Sequence, residues 1–133
     1  MLNFSYTKVK GRSAIPVVNL YLQNLDNPLL CATSDCAILD TGSDVTLVSF
    51  SIISKLQAKL IQKKKLIPFR GLGREIEGIP YRVRVSFDNN EYFSALVLAV
   101  ADLELDGETI IGRNILNRYL ITLDGRNEVF TIF

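Results

Sequence analysis

Alternating apolar and polar residues run through most of the chain and predict strands. In residues 81–87 (YRVRVSF), a tyrosine, two valines and a phenylalanine alternate with two arginines and a serine, which predicts a half-buried strand. A turn at Asp88-Asn89-Asn90 separates it from an apolar return strand over residues 92–100. Further strands are predicted over residues 15–22, 37–39, 119–123 and 129–133, of which the last two form a hairpin around Asp124-Gly125.

Two segments have helical periodicity instead. Ser51 to Gln62 places four apolar side chains on one stripe, and Asn114 to Arg118 is long enough for about one turn. The lysine run 63–65 is interpreted as the solvated end of the first helix, where cations suit the helix dipole. The pattern therefore predicts one mainly β domain over residues 1–133, with one or two short helices and a C-terminal hairpin.

Composition narrows the class of partner. The 133 residues are 48% apolar and 22% charged, as in an ordinary soluble protein, and the net charge is +1. A balance so close to neutral gives no reason to expect nucleic acid or an anionic membrane as a partner. The apolar run 95–101 is too short to span a bilayer, and residues 1–10 do not resemble a signal peptide. We expect a soluble, cytoplasmic protein.

The residue types that are missing narrow the chemistry. The sequence contains no histidine, which excludes Ser-His-Asp and Cys-His nucleophilic machinery. Two cysteines, Cys31 and Cys36, are too few for a structural zinc site and are interpreted as reduced thiols. Residues 102–107 begin like a calcium loop, but position twelve is Arg113, and Leu103 and Leu105 suit a strand end. No metal or cofactor is expected.

The segment with the clearest chemistry is residues 37–48 (AILDTGSDVTLV), where an apolar strand ends in Asp40. A carboxylate that directly follows a buried strand is either paired or functional, because burial penalises its charge. Thr41 and Ser43 offer hydroxyls to the carboxylate or the turn backbone, and Gly42 allows close backbone approach. Taken alone, these four residues are better explained by an ordinary turn with an Asx-type bond.

Two motifs together resemble those of the retropepsin-like aspartic proteases, a family that includes retroviral proteases, cellular DNA-damage-inducible retropepsins and short bacterial relatives. One is Leu39 to Asp44, the hydrophobic-Asp-Thr-Gly signature, and the other is Ile110 to Leu116, a hydrophobic-Gly segment followed by a short helix. The resemblance covers Ile15 to the end and implies an all-β acid-protease barrel subunit. Residues 119–133 look more like the cellular and bacterial members than the retroviral enzymes.

The resemblance implies roles for the residues of the first motif. Asp40 matches the catalytic aspartate, and a single copy of the motif implies a homodimer in which two Asp40 carboxylates form one dyad. Thr41 matches the residue that links the two active-site loops, and Gly42 the position whose carbonyl faces bound peptide. Ser43 is expected to bond the ionised dyad and lower its pKa. Asp44 matches the acidic partner of a structural ion pair with Arg113, and it is also expected near the substrate backbone.

The family's flap is expected at Gly71-Leu72-Gly73, where glycines permit a tight turn and an opening motion. The usual flap tip is richer in glycine, so an ordinary hairpin turn remains the alternative.

The resulting prediction is an aspartic endopeptidase that cuts peptide or protein substrates without a cofactor. A catalytically weak retropepsin-fold module for peptide binding or dimerisation is the alternative, and an enzyme that processes only itself or one partner is a third possibility. An intact Asp40-Thr41-Gly42 argues against the weak module, because a scaffold has no need of a buried acidic dyad.

Overall fold

The computed structural model describes residues 1–60, 67–71 and 74–133. In chain order, the strands are β1 (Leu2–Ser5), β2 (Val17–Gln23), β3 (Cys31–Leu39), β4 (Thr46–Ser49), β5 (Ile67–Gly71), β6 (Arg74–Ser86), β7 (Phe93–Val100), β8 (Thr109–Ile111), β9 (Ile121–Asp124) and β10 (Val129–Ile132). The helices are α1 (Phe50–Leu56), α2 (Asp102–Leu105) and α3 (Arg113–Leu116). The prediction of a mainly β chain with short helices is confirmed.

Six strands close into a barrel. The large sheet runs in the order β2-β3-β8-β4-β7-β6-β5, and β2 also pairs antiparallel with β6, which joins its two ends. β5 extends beyond the closure as an antiparallel partner of β6 alone. The core within the barrel is aliphatic, and Leu20, Leu22, Val83, Val85 and Val97 have no exposed surface. Burial of this apolar surface is the main force that holds the barrel together.

The strand pair β6–β7 follows the predicted alternation. Val83 and Val85 are buried and Arg82 is exposed, so the sequence pattern correctly identifies the inward face. Ser86 departs from the pattern because it is fully buried, and its hydroxyl donates to Asp88 Oδ1 at 2.8 Å. That bond satisfies a polar group that burial would otherwise penalise.

The predicted C-terminal hairpin is present as β9 and β10, and β1 adds to it to make a separate three-stranded sheet. One face of this sheet packs on the barrel core through Phe130 and Ile132, with 1% and 2% exposure. Phe4 stacks on Phe130 at 5.0 Å between ring centroids. The chain ends are thus built into the fold through apolar packing.

The first predicted helix is too long. α1 begins after Ser49, whose hydroxyl accepts from the Ile52 amide at 3.3 Å, and it ends at Leu56. Gln57 adopts left-handed backbone with φ of 48°, and Asn24 Nδ2 donates to the Leu56 carbonyl at 2.9 Å. This long-range capping bond stops the helix, and residues 61–65 of the predicted helix and lysine run lie outside the described residues.

The segment interpreted as a strand end at Leu103 and Leu105 is wrong, because it forms α2. The Asp106 amide donates back to the Asp102 carbonyl at 3.2 Å, and Asp106 is left-handed with φ of 50°. Asp106-Gly107 therefore ends a helical turn and does not close a hairpin. None of the helices in the described part of the chain has the length and apolar character that a bilayer crossing requires.

Candidate active site

Asp40 lies at the carboxyl end of β3, in the middle of the barrel sheet. β3 runs parallel to β8 with Leu39 opposite Ile111, and the Asp40 amide donates to the Ile111 carbonyl at 3.0 Å. The Asp40 residue is half-buried, and the next two residues, Thr41 and Gly42, are exposed. The strand pairing holds the backbone of Asp40 in place at the start of this exposed stretch of the loop.

Gly42 bonds the Asp40 carboxylate through its backbone. Its amide donates to Asp40 Oδ1 at 2.8 Å, and a Cβ at Gly42 would lie only 3.1 Å from that oxygen. A glycine therefore lets the amide approach the carboxylate without crowding it. The bond holds one carboxylate oxygen in place.

Ser43 is buried, and its hydroxyl bonds the backbone of Val45. The residue is 2% exposed, and its hydroxyl donates to the Val45 carbonyl at 2.7 Å. A serine hydroxyl has one proton to donate. The expected bond from this hydroxyl to the dyad is thus wrong for this chain, and Ser43 stabilises the loop backbone instead.

Arg113 spans the loop from outside. Its side chain pairs with the Asp44 carboxylate as predicted, and its Nη1 donates to the Thr41 carbonyl at 2.6 Å. The Arg113 amide also donates to the Ser43 carbonyl at 2.8 Å. Because both charged side chains are partly solvated, the ion pair contributes little free energy, about 0–1 kcal/mol. Its value lies in orienting the exposed end of the loop.

Sequence patterns missed a second set of contacts beneath the loop. Thr46 is fully buried; its hydroxyl accepts from the Gly112 amide at 3.1 Å and donates to Asn114 Oδ1 at 2.9 Å. Gly112 lies so close to Val45 that a Cβ would come within 2.4 Å of its backbone. The sequence offered one signal for these contacts, because Thr46 is a hydroxyl residue within the otherwise apolar segment 45–48.

The expected flap segment falls on the hairpin of β5 and β6. The two strands pair antiparallel from Ile67 opposite Gly78 to Gly71 opposite Arg74. Leu72 and Gly73, the other two predicted flap residues, lie outside the described residues. A hairpin is present where the lid was expected, and its lid role stays a prediction.

Within residues 1–60, 67–71 and 74–133, no group of three or more histidine, cysteine or acidic side chains is placed to hold a metal ion. Asp40 is the group that the strand pairing and the Gly42 amide together hold in place.

The closed barrel, with its aspartate loop at the end of an internal strand, is the retropepsin-like aspartic protease fold. The solved structures that share it include the following two. A retropepsin-like aspartic protease from Rickettsia conorii matches 100% of this chain and 99% of its own, with a TM-score of 0.62 and 14% identity. The EIAV protease complexed with the inhibitor HBY-793 matches 84% of this chain and 92% of its own, with a TM-score of 0.52 and 18% identity. No family model and no curated protein matches the sequence.

Proposed function

We propose that this chain is one subunit of a homodimeric aspartic endopeptidase, with Asp40 as its catalytic residue. The observation that carries the proposal is the Asp40 carboxylate at the end of β3 in a retropepsin-like barrel, held by the Gly42 amide at 2.8 Å. The neighbouring Thr41 and Gly42 are exposed, which leaves room for a second subunit and a substrate at the same place.

Two carboxylates are needed for the reaction. Two Asp40 groups at about 3 Å from each other cannot both ionise easily, so they share one proton; aspartic proteases are the standard example of this effect. The ionised carboxylate removes a proton from a water molecule, which attacks the scissile carbonyl carbon, while the protonated carboxylate donates to the carbonyl oxygen. The tetrahedral intermediate then breaks its C–N bond as the leaving amine takes up the proton that the first carboxylate removed from water. The second carboxylate regains a proton from a hydroxyl of the intermediate as the carbonyl group forms again. The dyad titrates as a unit.

A single Asp-Thr-Gly motif in 133 residues supports the dimer. One chain supplies one carboxylate, so a twofold axis through the loop is the simplest way to bring two together. In this proposal, Thr41 links the two loops and the Gly42 carbonyl faces the bound peptide. Asp44, oriented by Arg113, lies near the substrate backbone.

The substrate in this proposal is an extended segment of peptide or protein. Such a segment binds through strand-like backbone hydrogen bonds, with its side chains in alternating pockets. The β5–β6 hairpin covers it as a flap, and Gly71 is the last residue of β5. The flap role that the resemblance implies for Leu72 and Gly73 is part of the same proposal. We also propose a cytoplasmic location, because Cys31 and Cys36 are free thiols.

The decisive experiment compares the native protein with Asp40→Asn on an unfolded protein substrate at a series of pH values from about 4 to 7. Asparagine keeps the shape and the Gly42 bond but cannot exchange a proton. We expect cleavage by the native protein and a loss of at least about 1,000-fold in the variant, since no residual dyad chemistry remains. Equal cleavage by both would refute the role of Asp40.

Sedimentation velocity over a range of concentrations provides the second measurement. A dimer that cleaves the substrate supports the proposal. A dimer without cleavage at any pH supports the alternative of a catalytically weak peptide-binding or dimerisation module. A monomer at every accessible concentration contradicts the shared dyad.

A further inference from the structure

Beneath the aspartate loop, three residues form a directed chain of hydrogen bonds. The Gly112 amide donates to the Thr46 hydroxyl at 3.1 Å, and this hydroxyl donates to Asn114 Oδ1 at 2.9 Å. Asn114 Nδ2 in turn donates to the carbonyl of Leu96, in β7, at 2.7 Å. Every donor and acceptor is used in one direction, so each group has a fixed orientation.

This chain of bonds begins at Gly112, which lies between Ile111 and Arg113, the two residues whose backbones bond the loop. The Asp40 amide donates to the carbonyl of Ile111, just before Gly112, at 3.0 Å. The Arg113 amide, just after Gly112, donates to the Ser43 carbonyl at 2.8 Å. A displacement of Gly112 would therefore be transmitted to both ends of the loop.

The space around this junction is also restricted. Gly112 is buried against the backbone of Val45, which is part of the segment that leads the loop into β4. Thr46 follows Val45 directly and has no exposed surface. Packing prevents Gly112 from moving towards Val45, and the hydrogen bond to the Thr46 hydroxyl prevents Gly112 from moving away.

We propose that Thr46 and Asn114 are positioning residues for catalysis. They fix the position of the Asp40 backbone by anchoring Gly112 to β4 and β7. This inference rests on the proposed function, because positioning has meaning only if Asp40 reacts. Neither side chain touches the reacting atoms. They determine the position of the Asp40 carboxylate relative to the Asp40 carboxylate of the partner subunit. A small displacement of a reacting group lowers the reaction rate considerably.

The first test replaces Thr46 with valine, which keeps the shape of the side chain and removes the hydroxyl. We expect kcat to fall roughly 10- to 100-fold, as for other small displacements of reacting groups, with KM little changed. Thr46→Ser restores the hydroxyl and should restore most of kcat. Rescue by serine distinguishes loss of the hydrogen bond from loss of volume.

Thr109→Val is the matched control. Thr109 is a second buried threonine of the same sheet, and its hydroxyl donates to Ser34 Oγ at 2.7 Å, away from the loop. It should lower the melting temperature about as much as Thr46→Val but leave kcat close to native. If both variants lose activity in proportion to stability, the role is structural only and the inference is overturned.

Asn114→Asp provides an independent variant on exposed surface, should Thr46→Val fail to fold. It keeps an acceptor for Thr46 but sets an oxygen against the Leu96 carbonyl in place of the donor. Asn117→Asp, three residues on, adds the same charge at another exposed position. A lower kcat for Asn114→Asp but not for Asn117→Asp supports the network, and equal activity in both contradicts it.

Amide hydrogen exchange followed by NMR separates this inference from the proposed function. Without the Thr46 hydroxyl, the amides of Gly112 and Asp40 should exchange faster than in Thr109→Val, whether or not the protein cleaves anything. An inactive native protein would refute the proposed function, and the positioning of Asp40 for catalysis would fall with it. Unchanged exchange in Thr46→Val would overturn the inference even if the native protein is fully active.

Discussion

At the scale of single residues, the Asp40 loop depends on how closely a backbone amide can approach a carboxylate. The Gly42 amide reaches Asp40 Oδ1 at 2.8 Å, and the same geometry leaves 3.1 Å for a Cβ at that position. Hydrogen bonds to a charged group are worth about 1.5–3 kcal/mol, so their loss is measurable. The carboxylate is thus held by a residue at which an added Cβ would make a tight contact with the same oxygen.

Replacing Gly42 with alanine should impair catalysis more than folding. The added methyl group crowds Oδ1, so the bond lengthens and kcat/KM should fall about tenfold or more, the equivalent of one bond to a charged group. Gly125→Ala is the control, because a Cβ there meets no atom within 4 Å. Steady-state kinetics and melting curves of both variants test this. Full activity in Gly42→Ala would show that the amide contact is dispensable.

At the scale of elements, α1 and α2 are joined by one aspartate. Asp102, the first residue of α2, accepts from the Ser51 hydroxyl and from the Ser51 amide at 3.2 Å, at the start of α1. These hydrogen bonds, led by that of the hydroxyl, lower the pKa of Asp102 below its ordinary value. The carboxylate also suits the positive end of the α1 dipole.

The stability contributed by Asp102 should therefore depend on pH. A lowered folded-state pKa means that the contribution is present above the unfolded-state pKa of about 4 and is lost as the pH falls through the lower folded value. Asp102→Asn should lower the melting temperature by a few degrees at neutral pH, and the difference should close in strong acid. Asp106→Asn removes an equal charge that does not contact Ser51 and should have little effect. Melting curves by circular dichroism, recorded from neutral pH to strong acid, measure the melting temperatures of both variants and of the native protein. If Asp102→Asn still melts below the native protein in strong acid, the proposed dependence on pH is contradicted.

At the scale of the whole molecule, the barrel brings chain segments that are far apart in sequence to one place. β3 and β8 lie in parallel, so residues 40 and 112 become neighbours, and β4 lies on the other side of β8. The hairpin of β5 and β6 extends from the same closed sheet. In the proposed function, each barrel supplies one Asp40 carboxylate, and a partner chain supplies the second.

Mixing experiments should show that the active unit contains two chains. Adding an equal amount of Asp40→Asn to the native protein should reduce its activity to about half, because random pairing places native chains in one-carboxylate dimers. A larger excess should reduce it further. Asp106→Asn, which keeps Asp40, should raise total activity instead. Activity that stays constant as Asp40→Asn is added would indicate that each chain works alone or that subunits do not exchange.

The strands and the aspartate loop could be predicted from the sequence because they depend on local patterns. The alternation in residues 81–87 reports which side of β6 faces the core, and the abrupt change from apolar residues to Asp40 marks the end of β3. The Asp44–Arg113 pair was also predictable, but only through the resemblance of two motifs. None of these inferences needed a distance.

The errors arose where a distant residue decides a local structure. α1 ends at Leu56 because Asn24, 32 residues earlier in the chain, caps its last carbonyls. α2 forms where a strand end was expected, and Asp102 is held there by Ser51. Periodicity within one segment carries no information about such partners.

The sequence alone was enough to predict the mainly β class, the inward face of β6 and the single Asp-Thr-Gly motif that a dimer would contain twice. Those features follow from local hydrophobic patterning and from the presence or absence of residue types. Only the tertiary structure decided where the Ser43 hydroxyl donates and that Thr46 anchors Gly112. A hydrogen bond depends on distance and direction, and for these groups the folding of β3, β4 and β8 around one another sets both.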